Sequence, residues 1–202
     1  VSYVCMLESV MADGTRRIYF DSEVGGWGGE PGQDGANAFS CGLHNIAAVP
    51  IEMLEATHPL VFSTYALRPG SAGAGRWRGG LGLVREWQLT APEGRFAATF
   101  DRFTIPPYGL QGGDPGATGR LLLTRADGTR CELRSKLSDL ALQAGDMIRI
   151  ETSGGGGYGS PQARDPARVA ADLINGYLTP ATVAGSCGLP AAADGMNDSR
   201  RS

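Results

Sequence analysis

The sequence predicts an α+β protein, mainly β, with mixed or antiparallel sheets, long glycine-rich connections and a short helical C-terminus. Three observations predict it. Glycine fills 31 of 202 positions, about twice its average share, which favours turns over a helical bundle. Two Asp-Gly pairs, at 13–14 and 127–128, each separate short apolar runs, and Asp-Gly takes the positive φ that closes a β-hairpin. Clear helix signals gather only near residue 165.

The elements follow in order. Residues 1–11 and 16–21 read as strands around the first Asp-Gly turn. An apolar strand at the first residue needs pairing partners, so a chain cut from, or completed by, another polypeptide is expected. Residues 25–35 form a glycine-rich connection, and 50–57 one or two helical turns with Pro50 in the first position. Residues 60–67 are β-rich. A second glycine-rich connection, 68–82, leads to strands at 83–89 and 95–104 with Pro92-Glu93-Gly94 as the turn between them. A third connection spans 106–119. Residues 120–124 and 130–133 flank the second Asp-Gly turn, and 146–151 is a strand running into Gly154-Gly155-Gly156-Gly157. Asp165 is a good N-cap and Pro166 a good first residue. Val169, Leu173 and Ile174 share a face, and Asn175-Gly176 stops the helix. Thr179-Pro180 starts a shorter helix. One folded unit over residues 1–189 and a flexible tail over 190–202 are expected.

Composition narrows the function classes. The net charge is −3, Lys136 is the only lysine, and no basic run is longer than the pairs Arg16-Arg17 and Arg200-Arg201, so nucleic acid is not the expected partner. Cys5, Cys41, Cys131 and Cys187 lie too far apart for a zinc site or a C-x-x-C motif. Free thiols, no secretory leader and no long apolar run predict a cytoplasmic protein with no membrane partner.

Candidate chemistry is scattered. Residues 154–159 satisfy G-x-G-x-x-G after a strand, but Ser160-Pro161 intervenes before any helix. A dinucleotide site needs a helix N-terminus at that point, so a tight backbone crossing is the better account. Ser71 lacks the glycine spacing of a nucleophile elbow. His44 and His58 are too far apart for a helical metal pair. His44 stands beside Asn45 and upstream of Glu52 and Glu55, which share a face if 50–57 is helical. Arg102 leaves a strand end ahead of Pro106-Pro107-Tyr108, where a guanidinium either clamps a carboxylate or phosphate or makes an ordinary salt bridge.

Six blocks in order carry more weight than any one. They are GGWGGEPGQDG at 25–35, PIEMLE at 50–55, LRPGSAGAGRWRGGLGLVREW at 67–87, DRFTIPPYGLQGGDPG at 101–116, GDMIRIETSGGGGYGSP at 145–161 and RDPARVAADLINGYLT at 164–179. Together they resemble the C-terminal part of the hydantoinase B/oxoprolinase family, which includes N-methylhydantoinase B, 5-oxoprolinase and related subunits of acetone and acetophenone carboxylases. The resemblance implies part of an ATP-dependent amidohydrolase that opens a hydantoin, lactam or 5-oxoproline ring. It implies a hydantoinase A-type partner that binds ATP and Mg, and an N-terminal portion of the B-type subunit holding a divalent metal such as Zn or Mn. It assigns no metal or cofactor ligand to this chain. Within that frame Glu52, Arg102 and Asp34 are the catalytic candidates, and Asn45, His44 and Tyr108 contact a small-molecule substrate. Many members of the family carry histidines where Ser40 and Gly42 stand here. A ketone carboxylase subunit, a non-catalytic structural subunit and an independent β-rich binding module are the alternatives.

Overall fold

The structure is a computed structural model, and it describes residues 3–40, 47–179 and 182. Two antiparallel sheets face each other. The first is four-stranded, in the order β2-β1-β5-β8, from β1 (Tyr3–Val10), β2 (Arg16–Glu23), β5 (Glu93–Phe100) and β8 (Lys136–Gln143). The second is five-stranded, in the order β3-β4-β9-β6-β7, from β3 (Leu60–Leu67), β4 (Leu83–Leu89), β9 (Met147–Glu151), β6 (Arg120–Thr124) and β7 (Arg130–Glu132).

Alternation builds the core. Tyr3, Cys5 and Leu7 of β1 point inward with Phe96, Ala98 and Phe100 of β5. They meet Trp87 and Leu89 of β4, Leu121 and Leu123 of β6, and Ile148 and Ile150 of β9. Strand period two places all of these on the inner faces. Trp87 spans the layers, edge-on to Phe96 at 5.7 Å and to Tyr19 at 6.3 Å between ring centroids.

Both Asp-Gly turns close hairpins, β1–β2 and β6–β7, with the same geometry. Asp13 accepts from the N–H of Thr15 and Asp127 from that of Thr129, each at 2.8 Å, while Gly14 and Gly128 sit at φ +82° and +87°. The strand at the first residues is not an orphan: β1 pairs with β2 on one side and β5 on the other, so it needs no second polypeptide to complete its ladder. Pro92 does not sit in a hairpin turn. It carries the chain from β4 in one sheet to β5 in the other, and β5 starts at Glu93.

The helices are short. In α1 (Ile51–Thr57), Pro50 is the N-cap and Leu54 the one buried side chain. In α2 (Pro166–Ile174), the Asp165 side chain accepts from the N–H of Ala167. Its buried face is Val169 and Asp172, and Ile174 is 86% exposed, against the expected Val-Leu-Ile face. No helix among the described residues is long and apolar enough to cross a membrane.

Candidate functional site

Four glycine-rich segments leave the ends of the sandwich and pack against one another through their backbones. They span residues 25–36, 70–82, 107–116 and 154–159. The last is central. A Cβ on Gly154 would lie 1.9 Å from the carbonyl O of Ser71, on Gly155 1.7 Å from that of Trp27, on Gly156 1.9 Å from that of Tyr108, and on Gly157 2.0 Å from that of Ala74. Successive residues thus face three different neighbours, and the fourth returns to the first. That threefold rotation is the signature of a polyproline II-like strand, whose period is about three residues. Its backbone groups have no partner within the segment, and here the neighbours supply them. The N–H of Gly155 donates to Gly80 at 2.9 Å, that of Gly157 to Asp114 at 2.9 Å, and that of Tyr158 to Trp77 at 2.8 Å. Burial without such partners would be costly. The G-x-G-x-x-G run is therefore a set of backbone crossings: no Cβ fits at Gly154, Gly155, Gly156 or Gly157, and Gly159 sits at φ +73°.

A cleft opens in this bundle among the described residues, with a volume of about 350 Å³. Its walls are the backbone of Trp27, Gly28 and Gly29, that of Gly155, Gly156 and Gly157, and Arg102, Pro107, Tyr108 and Leu110 from the third segment. Trp27 is fixed by its indole N–H, which donates to the carbonyl of Phe39 at 2.9 Å. Arg102 also lines a second cleft of about 410 Å³, with Asp101, Thr104 and Lys136.

Arg102 and Tyr108 thus share one cleft, and Glu52 and Asp34 are not among its described lining residues. Tyr108 is 69% exposed at the rim. Glu52 lies exposed in the first turn of α1 and lines neither cleft, while Glu55 accepts from the N–H of Phe62 at 2.7 Å. Asp34 is saturated with donors. Arg164 grips both its oxygens at 2.7 and 2.9 Å, the N–H of Arg78 donates at 2.8 Å, and Arg168 at 3.3 Å. Burial alone would raise its pKa, but these arginine contacts outweigh burial and hold it below the usual carboxylate value. Its geometry is that of an anchor. His44 and Asn45 lie outside the described residues.

Two charged residues missed in the sequence reading complete the picture. Asp172 receives Arg78 on both oxygens at 3.1 Å and Arg164 at 2.6 Å. It binds α2 to the glycine bundle through the same arginine that holds Asp34. Its place three residues after Val169, on the same helical face, was the available signal. Arg85, inside the sandwich, meets Glu23 at 2.8 Å, the Tyr19 hydroxyl at 3.2 Å and Asp21, with the Tyr65 ring 4.5 Å below its guanidinium carbon. Arg85 shares strand parity with Trp87, which marks it as inward-facing. Burial outweighs the attraction of Arg85, and the Glu23 carboxyl is pushed up to about 7.

Neither implied cofactor fits the described residues. No three of His, Cys, Asp and Glu converge as metal ligands among them. The glycine run that resembles a nucleotide loop has its N–H groups, except that of Gly156, committed to neighbouring backbone, and the next α-helix starts only at Pro166.

Residues 2–161 match the hydantoinase B/oxoprolinase family. The chain belongs to that family. A protein of Pseudomonas sp. (strain NS671), provisionally named as the B component of a D-/L-hydantoinase, is 34% identical over 163 residues, 80% of this chain and 27% of its own length. The 5-oxoprolinase PfmaA of Pestalotiopsis fici is 35% identical over 149 residues, 71% of this chain and 12% of that enzyme. Among solved structures, the ATP-dependent caprolactamase of Pseudomonas jessenii superposes on 96% of this chain and 35% of its own, with a TM-score of 0.82 at 22% identity. The last likeness is one of fold. This hydantoinase B/oxoprolinase chain spans about a quarter or less of the curated relatives it matches.

Proposed function

We propose that this chain is the C-terminal portion of a hydantoinase B-type subunit, over residues 1–189, and works within an ATP-dependent amidohydrolase that opens a small cyclic amide. A resonance-stabilised amide is a poor electrophile. ATP, bound by a hydantoinase A-type partner, would supply the phosphoryl group that turns the amide oxygen into a leaving group. This chain would contribute binding and positioning, which carry much of such a reaction. One observation carries the reading: the family match runs through all four glycine segments, and so includes the cleft walls at Trp27, Arg102, Tyr108 and Gly156. Relatives named for hydantoinase and 5-oxoprolinase activity support the substrate class.

The test is ADP release by the complete assembly, this chain together with the remainder of the B-type subunit and the ATP-binding partner. Hydantoin, 5-oxoproline and caprolactam are offered in turn. Turnover that depends on one of them is expected. Turnover that depends only on a ketone and bicarbonate would replace the amidohydrolase with a carboxylase. ATP turnover with none of these would leave a structural subunit.

A further inference from the structure

Seven arginines among the described residues are buried or half-buried: Arg68, Arg78, Arg85, Arg102, Arg125, Arg149 and Arg164. Six of them are paired with carboxylates, in bridges to Glu151, Asp172, Glu23, Asp146, Glu86 and Asp34 among others. Arg102 has no ion-pair partner among the described residues. Yet its placement is costly and secured. Its φ is +60°, a left-handed conformation that costs a non-glycine residue about 1–2 kcal/mol. Its carbonyl accepts from the N–H of Gly119 at 2.9 Å, and the adjacent Phe103 stacks on Phe100 at 5.7 Å. The backbone is pinned so that this side chain enters the cleft wall.

The rest of the cleft is suited to an anion. None of its lining residues among those described is acidic. Gly28 and Gly156 donate no main-chain hydrogen bond among the described residues, whereas Gly26, Gly29, Gly155 and Gly157 in the same wall do. Trp27, Tyr108 and Leu110 offer apolar surface beside these polar groups. A volume of about 350 Å³ suits a small molecule. A guanidinium fork with adjacent backbone N–H groups is the chemistry that recognises a carboxylate or phosphate oxyanion.

We propose that this cleft is an oxyanion-binding site for a small molecule, with Arg102 as its binding residue. The oxyanion is either the substrate's own carboxylate or a phosphate group. The site itself stands on geometry; only the identity of the anion rests on the amidohydrolase reading.

The test uses the complete assembly and measures equilibrium binding, which needs no turnover. The probes are 5-oxo-L-proline, 2-pyrrolidinone (the same ring without the carboxylate) and inorganic phosphate. Arg102→Gly removes the guanidinium and fits the left-handed backbone without strain, so it should melt at or above the parent protein. It should weaken at least one anion by about tenfold to a hundredfold, the loss expected for a charged hydrogen-bonded contact. Binding of 2-pyrrolidinone should not change. Arg102→Lys should recover part of the loss, since it keeps the charge without the fork. A loss for 5-oxoproline alone identifies the carboxylate, and a loss for phosphate alone the phosphoryl group. The proposal is overturned if the parent protein binds neither anion, if both variants bind both anions as the parent does, or if 2-pyrrolidinone weakens equally. Failure of ATP turnover with normal anion binding would strike the proposed function and leave this site standing.

Discussion

The sandwich and the glycine bundle are packed by opposite means. In the sandwich, side chains fill the space between two sheets: Trp87, Phe96, Leu121, Ile148 and Ile150 are each fully buried. In the bundle there are almost no side chains to fill anything, and carbonyl oxygens rest where Cβ atoms would stand. The sandwich is held by apolar burial and loses stability when atoms are removed. The bundle is held by backbone hydrogen bonds and close contact, and loses stability when atoms are added. This difference places the cleft. A wall of bare backbone presents N–H groups to a ligand that a sheet would commit to its ladder.

The sharpest way to break the comparison is one added methyl group. Gly155→Ala puts Cβ 1.7 Å from the carbonyl O of Trp27. It should cost about 4 kcal/mol or more, the extreme of single substitutions, and lower the Tm by about 10 °C or more. A calorimetric scan checks this. Removing atoms from the sandwich comes next: Trp87→Ala should cost about 3–5 kcal/mol, read from denaturant midpoints at unchanged slope. Asp172→Asn tests the clamp between α2 and the bundle. It leaves Arg78 and Arg164 short of a buried partner, at about 3 kcal/mol. If α2 is only lightly held, proteolysis after Arg164 will not increase.

The sandwich also holds the pH-sensitive group. The Glu23 carboxyl has a folded value near 7 against 4.5 in the ordinary state. The folded state therefore holds this proton more tightly. Its stabilising contribution is complete below about pH 4.5 and is lost as pH rises through about 7, on the order of 3 kcal/mol in all. Asp34, with its lowered value, acts in the opposite sense and loses its contribution as pH falls below about 4. Urea titrations between pH 4.5 and 7.5 should show stability falling with pH, and Glu23→Gln should flatten that slope. A slope unchanged by the substitution would show that Arg85 keeps Glu23 ionised.

Much of the sandwich was legible in the sequence because local rules decide it. The two Asp-Gly turns, β3 and the Asp165-Pro166 helix start follow from residue types alone. The strand β8 was missed. Its sequence KLSDLALQ spaces Leu137, Leu140 and Leu142 three and then two apart and carries no β-branched residue, and its strand state comes from pairing with β5. The pairing of β4 and β5 with different partners was equally hidden, because a short connection looks the same whether it closes a hairpin or changes sheets. In the bundle, the density of glycine was plain but its cause was not. Gly155 needs its neighbour Trp27, which is 128 residues away in the chain. Arg102 and Tyr108 were visible as candidates from the strand end and the Pro-Pro turn. Asp34 was visible as a polar residue in a glycine loop, but its four donors come from segments far along the chain.

Gly28 separates scaffold from site better than any other position. A Cβ there meets only the carbonyl O of Gly156, at 3.7 Å, an ordinary contact, and Gly28 lines the cleft. Gly28→Ala should therefore leave the Tm within about 2 °C of the parent, since surface substitutions cost little. The decisive measurement is substrate-dependent ADP release by the complete assembly carrying this one change. The account predicts a fall of about tenfold or more, because small displacements of bound substrate are costly to the reaction. Turnover equal to that of the parent, in a protein that melts at the same temperature, would contradict it.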